Sequence, residues 1–497
     1  MKKLFSLLLA ATMTFSLTLP ALADHYTYSE PEKSTMMPRS TPETHGMSSQ
    51  YILDLLDAFD YADAEVHNIL MAIDGEVVFE GHYAPYTALD PHIMFSGTKI
   101  FTNAAVGVAV TEGYLHLDDY VYDVLKDYVT QDVSELQSKV QLKHLLTMTS
   151  GVDRFMSGSE LRPLTTSWIE HILTEPIVHE PGTYYLYSSG NTMLSSAMVT
   201  VATGKTCLDL LNTTGFCEEL GIKITAEDLA KVGQLYMNGG VWNGKQILSK
   251  EWCDLAIGYE KTVENQGDYA YHWTAYEDGL YYTATGSYGQ TLAICPKLNM
   301  VIAIQAGTKQ NIGELLYQNI FKPYGDALAA GTVPEPDDAL SAALAKRAEN
   351  LNLMFTTDFT ASPIGELVDD VTFTAAENQY GITTLSLDVH DDYIDYTMTD
   401  ARGTHTIRNG IWQWLKGETS MTSNYTHHQY QYPTEPVYAY AEWKDANTLQ
   451  LTWRFPELAF VDTLTLTFSD DGSQIGMVRS VNVNSGPLVC DEVVFTK

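Results

Sequence analysis

A serine and a lysine stand three residues apart in Met94-Phe95-Ser96-Gly97-Thr98-Lys99-Ile100, just ahead of an apolar, small-residue run at 104–110. A serine hydroxyl is a weak nucleophile at neutral pH and needs a neighbouring base, and an i, i+3 pair on a helix shares one face. Desolvation against the apolar run disfavours an ammonium, so Lys99 is expected to have a lowered pKa and to accept the Ser96 proton. A helix start also offers backbone N–H groups, that of Ser96 among them, which can stabilise a developing oxyanion. About one Ser-x-x-Lys is expected by chance in a chain of this size, so the spacing alone leaves a catalytic pair and an accident of composition both open. Ser96 is the only serine here with a lysine three residues on.

Three further segments carry groups that acyl transfer could use. Residues 181–191 place Tyr187 among turn formers, and a phenolate beside an ammonium can serve as general base. With 31 tyrosines in the chain, packing is the competing reading. Residues 281–290 enter a strand whose glycines would let backbone approach a ligand. Residues 144–151 read as the end of a helix with Gly151 as its stop.

These residues need a scaffold, and the pattern from about residue 40 is mixed α and β. Residues 51–58 form a helix candidate, and 69–73 with 77–83 form a hairpin around Asp74-Gly75. Helical stretches dominate 140–203 and 226–239. Strand-like runs follow at 280–284, 291–295 and 300–306, with a closing helix near 312–320. A helical insertion between an N-terminal hairpin and C-terminal strands implies one antiparallel sheet flanked by helices. Residues 327–338 read as a boundary and 339–351 as a short helix. Beyond it, alternation at Leu385/Leu387/Val389, Leu449/Leu451/Trp453/Phe455 and Leu464/Leu466/Phe468 predicts an antiparallel β-domain, a small closed barrel being one form of it. The division is 1–23 leader, 40–326 catalytic domain, 327–351 linker and short helix, and 352–497 β-domain.

Met1-Lys2-Lys3, an apolar stretch and Ala21-Leu22-Ala23 form a signal-peptide pattern, with cleavage expected near Ala23 and a secreted or periplasmic product. No later stretch is long and apolar enough to span a bilayer. A formal net charge of -35 argues against nucleic acid and anionic lipid as partners. Five cysteines are too few for a disulfide scaffold; Cys207 and Cys217 either pair or remain buried thiols. His427-His428 is most simply a solvent-facing pair, and no metal-ligand motif is present.

Taken in order, several segments resemble the penicillin-recognising serine hydrolases, in the branch of class C β-lactamases, D-alanyl-D-alanine carboxypeptidases and related esterases. They are Thr41-Pro42-Glu43 with Gly46, the Asp74-Gly75 hairpin, Ser96-Gly97-Thr98-Lys99, Glu112-Gly113 with Leu117-Asp118-Asp119, residues 144–151, Tyr187-Ser188, and Thr225-Ala226-Glu227-Asp228 with Gly233-Gln234-Leu235. The resemblance covers about residues 40–325. It implies a β-lactamase/transpeptidase-like α/β domain in which Ser96 attacks a carbonyl and Lys99 and Tyr187 move the proton. It places the oxyanion between the backbone N–H groups of Ser96 and Ser287, makes Ser189, Gly286 and Ser287 substrate-binding, and requires no metal or organic cofactor.

Three departures bear on substrate. Ser189 stands where asparagine is common, Ala284-Thr285-Gly286 opens without the usual lysine or histidine, and Leu220-Gly221 runs almost directly into Thr225 where relatives carry a longer loop. The expected activity is therefore cleavage of an ester or amide in a small molecule or peptide, including a D-amino-acid peptide, with weak or no β-lactamase activity. The alternative is a binding or sensor protein on a decayed hydrolase fold. Three roles are open to the C-terminal domain: covering the cleft, aiding dimerisation, or contacting a wall polymer.

Overall fold

The computed structural model describes residues 36–497 apart from 162, 215–223, 259–262, 264, 266–267, 278, 333, 354–360 and 422–433. The leader, Cys217, Leu220-Gly221 and His427-His428 lie outside the described residues; Cys207 carries a free thiol.

The hairpin opens the first sheet. Strands β1 (Val66–Ile73) and β2 (Glu76–His82) are joined through Asp74 and Gly75, whose φ values of 54° and 80° are both left-handed. A two-residue turn that follows the strand twist needs positive φ at both positions, which Asp-Gly tolerates. A small separate hairpin, β3 (Val241–Trp242) with β4 (Lys245–Gln246), precedes the remaining sheet strands. These are β5 (Tyr269–Ala270), β6 (Trp273–Tyr276), β7 (Tyr281–Gly286), β8 (Gln290–Cys295) and β9 (Met300–Ala306). The seven strands run β2-β1-β9-β8-β7-β6-β5, antiparallel throughout. This is the antiparallel sheet expected, and β1, β8 and β9 are buried along their whole length because helices cover both faces.

On one face, α1 (Ser49–Tyr61) is capped by the Ser48 side chain and buries Ile52, Leu55, Leu56 and Phe59, the 3–4 spacing of a one-sided helix. The helix Asp338–Glu349 packs on the same layer: Leu344 and Leu351 enter that core and Arg347 pairs with Asp60. The short helix expected at 339–351 is present, and through Leu344, with Ala348 packed beside it, it covers the sheet. The opposite face carries α2 (Lys99–Thr111) and the helices Ser189–Thr203 and Ala226–Met237. Close approach there depends on small residues; a Cβ at Gly233 would lie 2.8 Å from a Val301 methyl. The helix Leu142–Leu146 ends earlier than expected. Met148, at φ 56°, takes the left-handed turn, whereas Gly151 serves a close crossing in which a Cβ would stand 2.3 Å from the His179 carbonyl oxygen.

The C-terminal strands are β10 (Val371–Ala375), β11 (Thr384–Val389), β12 (Tyr393–Asp400), β13 (Gly403–Ile411), β14 (Leu415–Thr419), β15 (Glu435–Trp443), β16 (Thr448–Arg454), β17 (Val461–Phe468), β18 (Gln474–Val481) and β19 (Val493–Thr496). Among the described residues nine of them close into a barrel, sealed by a short parallel pairing of β13 with β15 at Gly410–Tyr440 and Ile411–Ala441; β14 lies outside the ring on β15. Alternation in sequence becomes alternation of faces, so Leu385, Leu387, Leu449, Leu451, Leu464 and Leu466 fill the interior around Trp443 and Trp453. The buried Trp453 indole donates to Asn409 Oδ1 at 2.7 Å, which satisfies its only polar atom.

Candidate active site

Ser96 sits in a single 3₁₀ turn, Phe95–Thr98, which runs directly into α2, where Lys99 is the first residue. That continuity brings the two side chains together: Lys99 Nζ donates to Ser96 Oγ at 3.1 Å, with Lys99 only 9% exposed. The end of β7 lies directly behind the turn. A Cβ at Gly286 would stand 1.9 Å from the Met94 carbonyl oxygen, so only glycine lets the strand end reach the turn that carries Ser96.

Tyr187 lies in the loop ahead of Ser189–Thr203. Backbone bonds from Leu186 N to Met148 O (2.9 Å) and Ser189 N to Met156 O (3.0 Å) fix that loop. The Lys99 ammonium lies 5.0 Å from the Tyr187 ring centroid, within cation–π range. Tyr269 meets the ring edge-on at 5.4 Å and Phe155 stacks at 6.1 Å. Among the described residues, no hydrogen bond joins the Tyr187 hydroxyl to Ser96 or Lys99.

Ser96, Tyr187, Gly286 and Ser287 line one cavity of about 470 Å³. The other predicted binding residue, Ser189, begins its helix without lining that cavity. Ala284 is 3% exposed and packs in the α2-side core, whereas Thr285 lines the cavity.

Two lining residues, Asp268 and His272, carry no sequence signal. Tyr271 and His272 are consecutive non-glycine residues at φ 50° and 68°, a strained pair held partly by Asn103 Nδ2 of α2, which donates to the Tyr271 carbonyl at 2.7 Å. His272 Nε2 lies 3.3 Å from Thr192 Oγ1. Burial, reinforced by the Lys99 charge, pushes its pKa down to about 3, so the cavity wall presents a neutral imidazole. Burial likewise raises the Tyr269 hydroxyl well above its usual range. Among the described residues, no group of three or more His, Cys, Asp or Glu could hold a metal ion.

The pair, the aromatic loop residue and the glycine strand end together suit acyl transfer. Residues 67–216 match the family model described as Beta-lactamase. A 6-aminohexanoate-dimer hydrolase of Paenarthrobacter ureafaciens is 24% identical over 274 residues, which span 46% of this chain and 69% of the relative. Among solved structures, a Bacillus anthracis protein provisionally named a 6-aminohexanoate-dimer hydrolase aligns with TM-score 0.46 and 22% identity, over 59% of this chain and 88% of its own. An octameric penicillin-binding protein homologue from Pyrococcus abyssi aligns with TM-score 0.44 and 16% identity, over 90% and 99%. Residues 67–216 of the chain thus carry a β-lactamase family domain.

Proposed function

We propose that this protein is an exported serine hydrolase that cleaves an ester or amide through an acyl-enzyme on Ser96. The observation that carries this reading is the 3.1 Å hydrogen bond from Lys99 to Ser96 in a cavity also lined by Tyr187 and Ser287. The Ser96 proton passes to the Lys99–Tyr187 pair while Oγ attacks the carbonyl carbon. The carbonyl oxygen becomes an oxyanion received by the backbone N–H groups of Ser96 and Ser287. Lys99 and Tyr187 then pass the proton to the leaving alcohol or amine, and water hydrolyses the acyl-serine.

The substrate is neutral near the scissile bond. Relatives that hold a carboxylate use a cation on the strand facing the nucleophile, and an ion-assisted hydrogen bond is worth roughly 1.5–3 kcal/mol. Ala284 supplies none, His272 is neutral and Asp268 adds negative charge to the cavity wall. A β-lactam carboxylate is therefore poorly received, while a short neutral ester or amide fits. The name of the Paenarthrobacter relative adds an aminohexanoate dimer to the compounds worth testing.

A fluorophosphonate probe, with mass spectrometry of the adduct, tests the reading. The label is expected on Ser96 and absent from Ser96→Ala. A label on another serine overturns the assignment, and no label at all favours the binding or sensor alternative. In a parallel screen of p-nitrophenyl esters, D-alanyl peptides, the aminohexanoate dimer and a chromogenic cephalosporin, efficient cephalosporin hydrolysis would contradict the substrate reading.

A further inference from the structure

The barrel touches the catalytic domain where the reaction is proposed to occur. Residues 455–460, the loop between β16 and β17, lie against the segment that leads into Ser96: Ile93 N donates to the Glu457 carbonyl at 2.9 Å. At the end of this loop Phe460, 0% exposed, meets two rings at once. Its centroid lies 6.3 Å from Phe95 at 85° and 5.8 Å from Tyr288 at 62°, while Phe95 and Tyr288 meet each other at 5.3 Å and 82°. The three rings form one edge-to-face cluster. Tyr288 is tied to the barrel a second time, its hydroxyl 3.0 Å from Ser485 Oγ.

The chain positions of these rings give the cluster its meaning. Phe95 immediately precedes Ser96, and Tyr288 immediately follows Ser287. Both are non-glycine residues with left-handed backbone, φ 45° and 64°. Such conformations persist only where surroundings over-determine them. The side chains that hold them meet on Phe460, which belongs to the barrel.

We propose that Phe460 is a positioning residue for the reaction. Its ring fixes Phe95 and Tyr288, and through them the separation and aim of the Ser96 and Ser287 N–H groups; the proposal rests on the acyl-enzyme reading above. Oxyanion stabilisation is sensitive to donor placement, because the donors must meet the position of the charge in the transition state rather than the ground-state carbonyl. Loss of the wedge therefore lowers kcat and leaves KM nearly unchanged.

The test uses the full chain, p-nitrophenyl butyrate and the fluorophosphonate probe. Phe460→Ala is expected to lower kcat by about 10- to 100-fold, the scale of a small misplacement of reacting groups, with KM changing less than about threefold. Phe460→Leu, which refills part of the space, should recover most of that loss. Affinity for phenylboronic acid, whose serine adduct is tetrahedral, should fall in parallel with kcat. A control in the same barrel core, Phe468→Ala, removes an equal side chain that packs on Trp443 away from this cluster and should leave kcat as in wild type. Wild-type kcat in Phe460→Ala, or an equal loss in Phe468→Ala, overturns the proposal. If Phe460→Ala does not fold, Phe460→Leu decides, since a graded loss of a few-fold is expected and none overturns it. A wild type that never labels at Ser96 instead overturns the underlying reading and not the wedge alone.

Discussion

Ser96 and Lys99 were legible in sequence because their relation is local: three residues on a helix fix the side chains within reach wherever the helix goes. Tyr187 is less so, since its place over Lys99 depends on a loop pinned to Met148 and Met156. If Lys99 and Tyr187 serve one proton transfer, their losses do not add. Lys99→Ala, Tyr187→Phe and the double variant are expected to show similar residual ester hydrolysis, each about 10²- to 10⁴-fold below wild type, the usual range for general-base loss. Multiplicative effects in a double-mutant cycle would separate their roles. His272 was invisible beforehand, because nothing in Tyr271-His272 announces a left-handed backbone or burial. Buried neutral histidines also set a pH response. His92 and His272 are pushed to about 3 and His144 to about 4, chiefly by burial, against 6.5 unfolded. Between those values the unfolded chain binds protons that the folded one refuses, so stability is lost as pH falls below 6.5. Glu435 works oppositely: burial raises it to about 8 from 4.5, so its folded state holds a proton and stability declines as pH rises through that window. Three histidines outweigh one carboxyl between 4.5 and 6.5, and relief of repulsion between exposed acids is screened in salt. Thermal midpoints in about 0.15 M salt should therefore peak near pH 6.5, and Glu435→Gln should remove the decline on the alkaline side. A midpoint that rises steadily from pH 6.5 to 4.5 would contradict this balance.

At the level of elements, the hydrophobic period was a sound guide and termini were not. The Asp74-Gly75 hairpin, α1 and the alternating barrel strands follow from turn chemistry and face burial that any local stretch displays. One terminus was misread and one short helix, though expected, gave no sign of its packing partner; tertiary contact decided both. Met148 rather than Gly151 ends its helix, and the glycine is spent on the crossing with His179. The helix Asp338–Glu349 has too narrow an apolar stripe to look like a core element, yet Leu344 reaches the layer under α1. The absent cation was legible at Ala284, but its consequence was not, because the residue is buried in the α2-side core and Thr285 takes the cavity wall. Between elements, β7 fits closely against the turn that carries Ser96. Gly286→Ala would place a methyl 1.9 Å from the Met94 carbonyl oxygen, so backbone must separate. We predict a loss of at least about tenfold in ester hydrolysis together with a destabilisation of about 2 kcal/mol, the cost of an overpacked core. A Gly286→Ala enzyme of normal rate and melting point would show that the turn can yield without disturbing Ser96.

Across the whole molecule, the β-lactamase family domain and the barrel share charges as well as rings. Arg454 at the end of β16 is 2% exposed and donates to Glu65 Oε1 at 2.7 Å; Glu65 also meets His67 Nε2 at 3.0 Å. Burial opposes ionisation of Glu65, yet the Arg454 charge and the His67 contact hold it down at about 2. The chain of contacts continues from His67 Nδ1 to His92 Nε2 at 2.9 Å, and from His92 to the Ile93 carbonyl at 3.0 Å, three residues before Ser96. Asp90 repeats the pattern with Tyr438 at 3.1 Å and Lys416 at 3.4 Å. None of this was visible in sequence, where the partners lie hundreds of positions apart and each reads as an ordinary surface charge. The energetic consequence follows from asymmetry. A buried pair adds little compared with apolar residues of the same shape, but removing one partner strands the other and costs about 3–5 kcal/mol. Arg454→Leu should thus weaken the seam far more than either domain's interior. Calorimetry should record one cooperative transition for the wild type and two for Arg454→Leu, with the earlier one reporting release of the barrel. Adding Glu65→Gln removes the stranded carboxylate, and the double variant should regain most of the lost midpoint. If Arg454→Leu alone melts as wild type does, the ion pair contributes nothing to docking, and the contacts at Phe460, Ile93 and Asp90 hold the two domains together.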